Sequence, residues 1–274
     1  VSADLTVAWT PDGNPEAGLK LAVEDLSLNT EFLTLKRAHA DLEIESFFPL
    51  RAPATQTLVA AGLGVGLPIE EPILRLRLLS TTQMRVQGFD GRFAGGSLSA
   101  DPFTLELGKP FQTMLRLKNV DASQIADMAE LEGLSVEGKL AGTIPVSWDP
   151  LTGLAIRDGT LAASGPGVVR YGSDQTPAPL RESGEQVSLM LQALRNFHYR
   201  SLRLGLNGRQ GADHAVTIAL EGANPELYDG YPFKFNVALS GPLDKIVQSG
   251  MQSFTLSDRV RDLVRERAER GVSR

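Results

Sequence analysis

The sequence predicts a mainly β protein, a long antiparallel meander with three or four short helices. Three observations predict it. Apolar and polar residues alternate with a period of two through most of the chain, the pattern of a strand with one dry and one wet face. Turn formers are abundant, with 27 glycines and 16 prolines among 274 residues. Helical spacing of apolar residues is confined to four short segments, each with its own capping or breaking residue.

The strands can be followed in order. Leu19, Leu21 and Val23 face one way and Leu26 and Leu28 the other, so the phase slips at Glu24–Asp25, as a β-bulge makes it do. Leu74, Leu76 and Leu78 alternate with Arg75, Arg77 and Leu79, and Phe103, Leu105 and Leu107 follow the Asp101-Pro102 turn. Leu115 and Leu117 alternate with Arg116 and Lys118. The longest run is Leu134, Val136, Gly138, Leu140, Gly142, Ile144, Val146 and Trp148, set against Ser135, Glu137, Lys139, Ala141, Thr143, Pro145, Ser147 and Asp149. At about 3.3 Å per residue a single strand of that length would reach roughly 50 Å, so a bend at Gly142 or Pro145 is expected. Leu202, Leu204 and Leu206 oppose Arg203, Gly205 and Asn207, and Val216, Ile218 and Leu220 oppose Thr217, Ala219 and Glu221. Last come Tyr231, Phe233, Phe235, Val237 and Leu239 against Pro232, Lys234, Asn236 and Ser240.

The helices are punctuated. Asp121 is an N-cap with Gln124 at N3; Ile125, Met128 and Ala129 share a face, and Gly133 closes the segment. Val187, Met190, Leu191 and Leu194 have amphipathic helical spacing. Pro242 opens a short helix through Ile246 and Val247 to Gly250. Ser257 caps a terminal amphipathic helix, residues 256–270, with Val260, Leu263 and Val264 on one side and five arginines from Arg259 to Arg270 elsewhere. Loops are expected at Phe48–Leu67, Gly165–Pro179 and Gly208–Asp213. A Gly-x-Leu-x-small motif recurs at Gly96–Ala100, Gly138–Gly142 and Gly159–Ala163, and reads as a turn glycine feeding a new strand. No low-complexity linker divides the chain, so residues 1–274 read as a single β-rich domain.

Composition removes several functions. A net charge of -6 gives no basic footprint, which speaks against nucleic acid as a partner. The absence of cysteine excludes disulfides, thiolate nucleophiles and sulfur-ligated metals. His39 and Asp41 share a strand face and make either a general-base pair or a surface pair, of which the surface pair is the plainer reading. His198 beside Tyr199 and His214 at a strand start read as structural or solvated. The run Gly62-Leu63-Gly64-Val65-Gly66 lacks the Lys-Ser/Thr of a phosphate loop and reads as a turn or lid. Ser164-Gly165-Pro166-Gly167 is not a nucleophile elbow. The carboxylate pairs Glu43/Glu45 and Glu70/Glu71 read as solvated. The chain is read as no enzyme, with no cofactor and no metal.

The last helix has two readings. Its arginines suit anionic lipid headgroups or a docking partner, whereas Asp258, Asp262, Glu266 and Glu269 suit a salt-bridged end-cap. No run reaches the ~20 apolar residues of a spanning helix. Val1 in place of Met reads as a cut, so any membrane anchor is expected outside this sequence.

Something must cover the apolar face. A second sheet would do so in a sandwich, the common solution. Alternatively the sheet curls into an open groove and hydrocarbon covers its inside. Leu, Ile and Val dominate that face, which suits flexible acyl chains better than flat sugar rings. The residues alone leave both arrangements open.

Four stretches carry a resemblance. They are Leu131-Glu132-Gly133-Leu134-Ser135-Val136-Glu137-Gly138-Lys139-Leu140 running on to Ile144-Pro145-Val146-Ser147-Trp148; Asp158-Gly159-Thr160-Leu161 leading to Gly165-Pro166-Gly167-Val168-Val169-Arg170-Tyr171; Ala193-Leu194-Arg195-Asn196-Phe197-His198-Tyr199; and Gly222-Ala223-Asn224-Pro225 through Pro232-Phe233-Lys234-Phe235-Asn236. Together they resemble the C-terminal region of the YdbH family of AsmA-like (TamB-type) envelope proteins, clearly over Val120–Gly250 and diffusely before it. The resemblance implies a long sheet rolled into a taco-like groove, periplasmic, held in the inner membrane by an N-terminal helix outside this sequence, with its C-terminal end toward the outer membrane. It implies phospholipid as cargo between the two membranes and a small outer-membrane lipoprotein as a partner that adds a strand at an edge. The family also carries a dicarboxylate-transport label, for which nothing here resembles a carboxylate-binding arginine pocket. The groove lining so assigned is Leu74, Leu76, Leu78, Leu105, Leu115, Leu117, Leu134, Val136, Leu140, Ile144, Val146, Leu202, Leu204, Leu206, Val216, Ile218, Leu220, Phe233, Phe235 and Val237. An inward charge, as in Ile144→Asp, Val146→Asp or Leu204→Asp, is expected to block passage and leave folding intact. The competing reading is a non-transporting β-sandwich that binds or scaffolds through its surface.

Overall fold

The structure, a computed structural model, describes residues 2–9, 15–30, 33–47, 50–64, 67–128, 133–172, 185–209 and 213–242. In chain order the elements are β1 (Ser2–Trp9), β2 (Pro15–Asn29), β3 (Thr34–Ile44), β4 (Ser46–Phe47), β5 (Leu50–Arg51), β6 (Gln56–Val59), β7 (Gly62–Gly64), β8 (Pro68–Leu78), β9 (Gln83–Phe93), β10 (Gly96–Ala100), β11 (Phe103–Glu106), β12 (Phe111–Asp121) and α1 (Ala122–Met128). They continue as β13 (Leu134–Glu137), β14 (Lys139–Asp149), β15 (Gly153–Ala163), β16 (Gly167–Tyr171), α2 (Glu185–Leu194), β17 (Phe197–Arg209), β18 (Asp213–Ala223), a 3-10 turn (Tyr228–Gly230) and β19 (Pro232–Pro242).

All strands except the small β4–β5 hairpin join one 17-stranded antiparallel sheet. Among the described residues no second large sheet is present. The sheet is a meander. Its spatial order runs β1, β2, β3, then β6 and β7 end to end, β8, β9, then β10 and β11, β12, β14, β15, β17, β18 and β19. β13 pairs with β16, which continues onto β17. Among the described residues β1 and β19 have one strand neighbour each, so the sheet is open at both ends.

The phase slip expected at Glu24–Asp25 is present. The β2–β3 register shifts between Val23 and Leu26, and Asp25 has φ 53°. The same device recurs at Arg37 (φ 46°), Glu71 (φ 49°), Asn119 (φ 55°) and Asp158 (φ 53°). Three of these irregularities lie side by side. Leu26 is opposite Ala38, the Ala61 N–H donates to the Lys36 carbonyl at 2.9 Å, and the Glu71 N–H donates to the Ala61 carbonyl at 3.2 Å. A crease therefore crosses β2, β3, the β6–β7 junction and β8, and bulges of this kind bend strands and increase their twist.

Several expectations are corrected. The long alternating run breaks at Gly138 (φ 142°), not at Gly142 or Pro145, because β13 pairs with β16 while β14 pairs with β12 and β15. Pro145 lies instead at a register shift between Thr143 and Val146. Gly159 sits inside β15 next to its bulge and feeds no new strand. The expected loop Phe48–Leu67 contains β5, β6 and β7. Gly62–Gly64 is a strand paired on both sides, with Gly62 and Gly64 buried, and not a lid. Of the two other expected loops, Gly167–Tyr171 form β16 and Gly208 and Arg209 belong to β17, while residues 173–179 and 210–212 lie outside the described residues. Leu107 stands 83% exposed in a turn, out of phase with Phe103 and Leu105.

Both central helices are present. Asp121 caps α1, its carboxylate accepting the Ser123 N–H at 3.1 Å and pairing with Lys139 at 2.8 Å. Hydrogen bonds from Lys139 and Ser123 hold this carboxyl below its ordinary value. The helices expected at Pro242–Gly250 and 256–270 lie outside the described residues.

Candidate functional site

Register turns the separate strands into one apolar face. Residues directly opposite across an antiparallel ladder share a side of the sheet. One rung reads Val23, Ala40, Leu58, Leu74, Phe89, Ala100, Leu115, Ile144 across eight strands. The next reads Gly91, Leu98, Leu117, Gly142, Leu161, Leu204, Ile218, Val237. The two overlap on β9, β10, β12 and β14, so apolar side chains continue without a break from β2 to β19. Twelve strand positions at about 4.8 Å span roughly 50 Å.

The opposite face is charged and paired. Arg116 grips Asp101 with two bonds of 2.7 Å, and this pairing draws the Asp101 carboxyl below and the guanidinium above their ordinary values. Lys20 meets Glu43 at 2.9 Å, Lys234 meets Glu221 at 2.8 Å, and Arg75 pairs with Asp90. Lys234 is the main cause of the lowered Glu221 carboxyl, with Arg200 at 3.4 Å adding to it.

The residues assigned to the apolar lining from sequence fall into two packed groups. Leu115, Leu117, Ile144, Val146, Leu204 and Leu206 gather around Leu98, Val120 and Leu161. Leu134, Val136, Leu140, Leu202, Ile218, Leu220, Phe233 and Phe235 gather around Val169, Phe197 and Tyr199. Leu74 and Val237 lie on the two rungs, Leu78 and Leu105 flank Met84, Leu76 is opposite Val86, and Val216 is opposite Leu206. Leu76, Leu117, Leu140, Ile144, Leu202 and Leu220 are buried, while the other fourteen are half-buried. Ile144 therefore belongs to the packed core at 8% exposure, and a charge there would disrupt folding, contrary to expectation.

Sequence periodicity missed Phe197, Tyr199, Leu161 and Val86, which also face this side. A register shift between Tyr199 and Ser201 puts odd-numbered Phe197 and Tyr199 in line with even-numbered Leu202 and Leu204, so a strict period of two loses them. Tyr199 is 1% exposed and its hydroxyl donates to the Glu137 carbonyl at 2.8 Å. Burial first, then the charge of Glu137, raises its pKa. A side chain at Gly138 or Gly167 would collide with this hydroxyl, which explains both glycines in the quoted stretches. The buried side chain of Asn224 completes this end of the sheet, its amide donating to the carbonyls of Gln192 (3.3 Å) and Ala193 (3.1 Å) at the end of α2.

A concavity of about 670 Å³ at β14–β19 is lined by residues of both phases, the small Ala141, Thr160, Ala162, Gly205, Thr217 and Ala219 together with Leu161, Leu204, Ile218 and Val237. Register places these small residues opposite in phase to Leu161, Leu204 and Ile218. His39 is exposed and accepts the Asp25 N–H at 3.4 Å, so it braces the β2 bulge and forms no pair with Asp41. Among the described residues no three acidic or imidazole groups gather as a metal site, and no helix is long and apolar enough to cross a membrane.

A continuous, half-wet hydrocarbon face on a single open sheet agrees with one comparison. The YdbH-like family model, described as the intermembrane phospholipid transport protein YdbH, matches residues 1–267. The chain belongs to the YdbH-like family. The match takes in β1–β9, where the quoted stretches gave no clear likeness. No curated protein and no solved structure is matched. For YdbH-like proteins the envelope between two membranes is the implied setting, and phospholipid the implied cargo.

Proposed function

We propose that this chain is the C-terminal stretch of a periplasm-spanning carrier and that acyl chains of phospholipid move along its apolar face, which works as an open groove. The observation that carries this reading is the pair of overlapping apolar rungs from β2 to β19, half-buried at most positions. An acyl chain is about 15 Å long, half of a ~30 Å hydrocarbon core, so the face accommodates several in a row. Covering it gains roughly 25 cal/mol per Å² of apolar area, with a similar gain from one strand to the next, so no position traps the lipid. Headgroups stay in water. Among the described residues the edges of β1 and β19 offer unpaired backbone groups to further strands, which supports growth of the groove at one end and strand addition by a small lipoprotein at the other.

The test is lipid mass spectrometry on gently purified protein. Wild type is expected to retain phospholipid, and Leu204→Asp, at a half-buried position, to lose it while keeping its melting temperature within a few degrees. Retention in the aspartate variant would contradict the proposal.

A further inference from the structure

Three neighbouring hairpin turns form a rim that carries exposed apolar side chains. Leu79 of the β8–β9 turn is 43% exposed, Leu107 of the β11–β12 turn 83% and Leu151 of the β14–β15 turn 93%. The turns are contiguous. The Leu107 N–H donates to the Thr82 carbonyl at 2.9 Å, and Phe111, just past the second turn, pairs with Trp148, just before the third. From β8 to β15 the rim spans roughly 25 Å at about 4.8 Å per strand.

Two carboxylates at these turns are tied to neighbouring groups. The Asp149 carboxylate accepts the N–H groups of Leu151 (2.8 Å) and Thr152 (3.0 Å), which holds Leu151 at the tip. The Glu106 carboxylate accepts from the Gln83 amide at 2.9 Å. Lys109 leaves an exposed cation beside Leu107. Directly inside the rim Phe103, Phe111 and Trp148 stack with centroids 5.0 and 5.8 Å apart, half-buried, Phe111 and Trp148 in phase with Leu115 and Ile144 of the apolar face.

Leucine tips with a lysine beside them and an aromatic row directly inside are the kinds of group found at a bilayer boundary, where leucines enter hydrocarbon, rings sit at headgroup depth and a long cationic side chain reaches back to phosphate. A protein partner calls for a broad complementary patch, about 800 Å² on each side. Leucines on separate protruding turns suit a fluid phase that each enters independently. We infer that this rim seats on a phospholipid bilayer and sets the adjoining apolar face against it. The inference rests on the lipid-carrier reading for its biological sense, although bilayer binding is measured apart from it.

The test is flotation of the full chain with vesicles of phosphatidylethanolamine and phosphatidylglycerol. Wild type should bind, and Leu107→Ser/Leu151→Ser should bind roughly 10- to 100-fold more weakly, two leucine side chains being withdrawn from hydrocarbon. Its melting temperature and co-purified lipid should be unchanged. In a Trp9→Phe background, vesicles carrying brominated acyl chains should quench Trp148 in the otherwise wild-type chain and not in the double variant. Should the double variant melt early, Leu151→Asn alone, at the most exposed tip, replaces it with a smaller expected loss. Equal vesicle binding by wild type and variant, no binding by wild type, or a dimer dispersed by the same substitutions would overturn the inference. Loss of lipid in Leu204→Asp with vesicle binding intact would report on the carrier reading alone.

Discussion

The two ends of the sheet treat the same kind of apolar face differently. Across β12–β19 two helices pack on it: Ile125 and Met128 of α1, Ala193 and Leu194 of α2. There Val120, Leu140, Phe197 and Tyr199 are buried to 1% or less. Across β1–β3 no helix intervenes among the described residues, the buried side chains are the small Thr34, Ala38 and Ala40, and Leu5, Val7, Leu26 and Leu28 are 66, 55, 38 and 43% exposed. The helices contribute to the core across β12–β19, while Val86 (1%) and Leu76 (6%) are buried on β9 and β8 outside the two clusters that the helices join. On β1–β3 the face stays an apolar surface in need of cover, and hydrocarbon is the cover proposed.

The largest expected effect contrasts these regions directly. Phe197→Ala should cost about 3–5 kcal/mol by urea unfolding, since a fully buried ring leaves a cavity. Leu5→Ala on β1 should cost less than about 0.5 kcal/mol. Similar losses at both sites would mean that β1–β3 is as well covered as β12–β19.

Next is the glycine pair under Tyr199. Gly138→Ala should lose about 2 kcal/mol or more, because the added methyl meets the Tyr199 hydroxyl and φ 142° strains any side chain. In a Tyr199→Phe background the same substitution should cost distinctly less. A double-mutant cycle reads this coupling, and strict additivity would show that the hydroxyl is not what the glycine accommodates.

Tyr199→Phe alone should cost about 1–2 kcal/mol, leaving the Glu137 carbonyl without its partner. Because the folded pKa of Tyr199 is raised, its contribution is complete below the ordinary tyrosine value and fades as pH rises through the folded value. Alkaline melts of wild type and variant should therefore converge.

The smallest effect is at α1. Asp121→Ala should cost about 1 kcal/mol through the lost cap. The folded carboxyl lies below its ordinary value, so the stabilisation is present above that ordinary value and lost as pH falls through the folded one. Thermal melts of the two proteins should differ at neutral pH and converge in acid.

Much of this was legible in the sequence because strand phase survives without knowledge of pairing. The Leu202, Val216 and Phe233 strands, the bulge at Asp25 and the cap at Asp121 are all written locally. What escaped depends on neighbours. Gly62–Gly64 looks like a loop because glycine is poor in strands, yet it fills the crease between β3 and β8, where backbones are buried. The break at Gly138 follows from β13 choosing β16, a partner over thirty residues away. Phe197 and Tyr199 vanish from the pattern at a bulge. Which half of the apolar phase is core and which half-wet was not readable at all, since it depends on tertiary packing, including where two helices come to rest.

The most direct test of the central claim exploits strand alternation. A photocrosslinking residue placed in the full-length protein in cells at Leu204, Ile218 or Val237 samples the apolar phase of these strands, and at Arg203, Thr217 or Ala219 the opposite phase. The account predicts phospholipid adducts at the first three positions and none at the second three. Adducts confined to the second set, or equal on both faces, would contradict it.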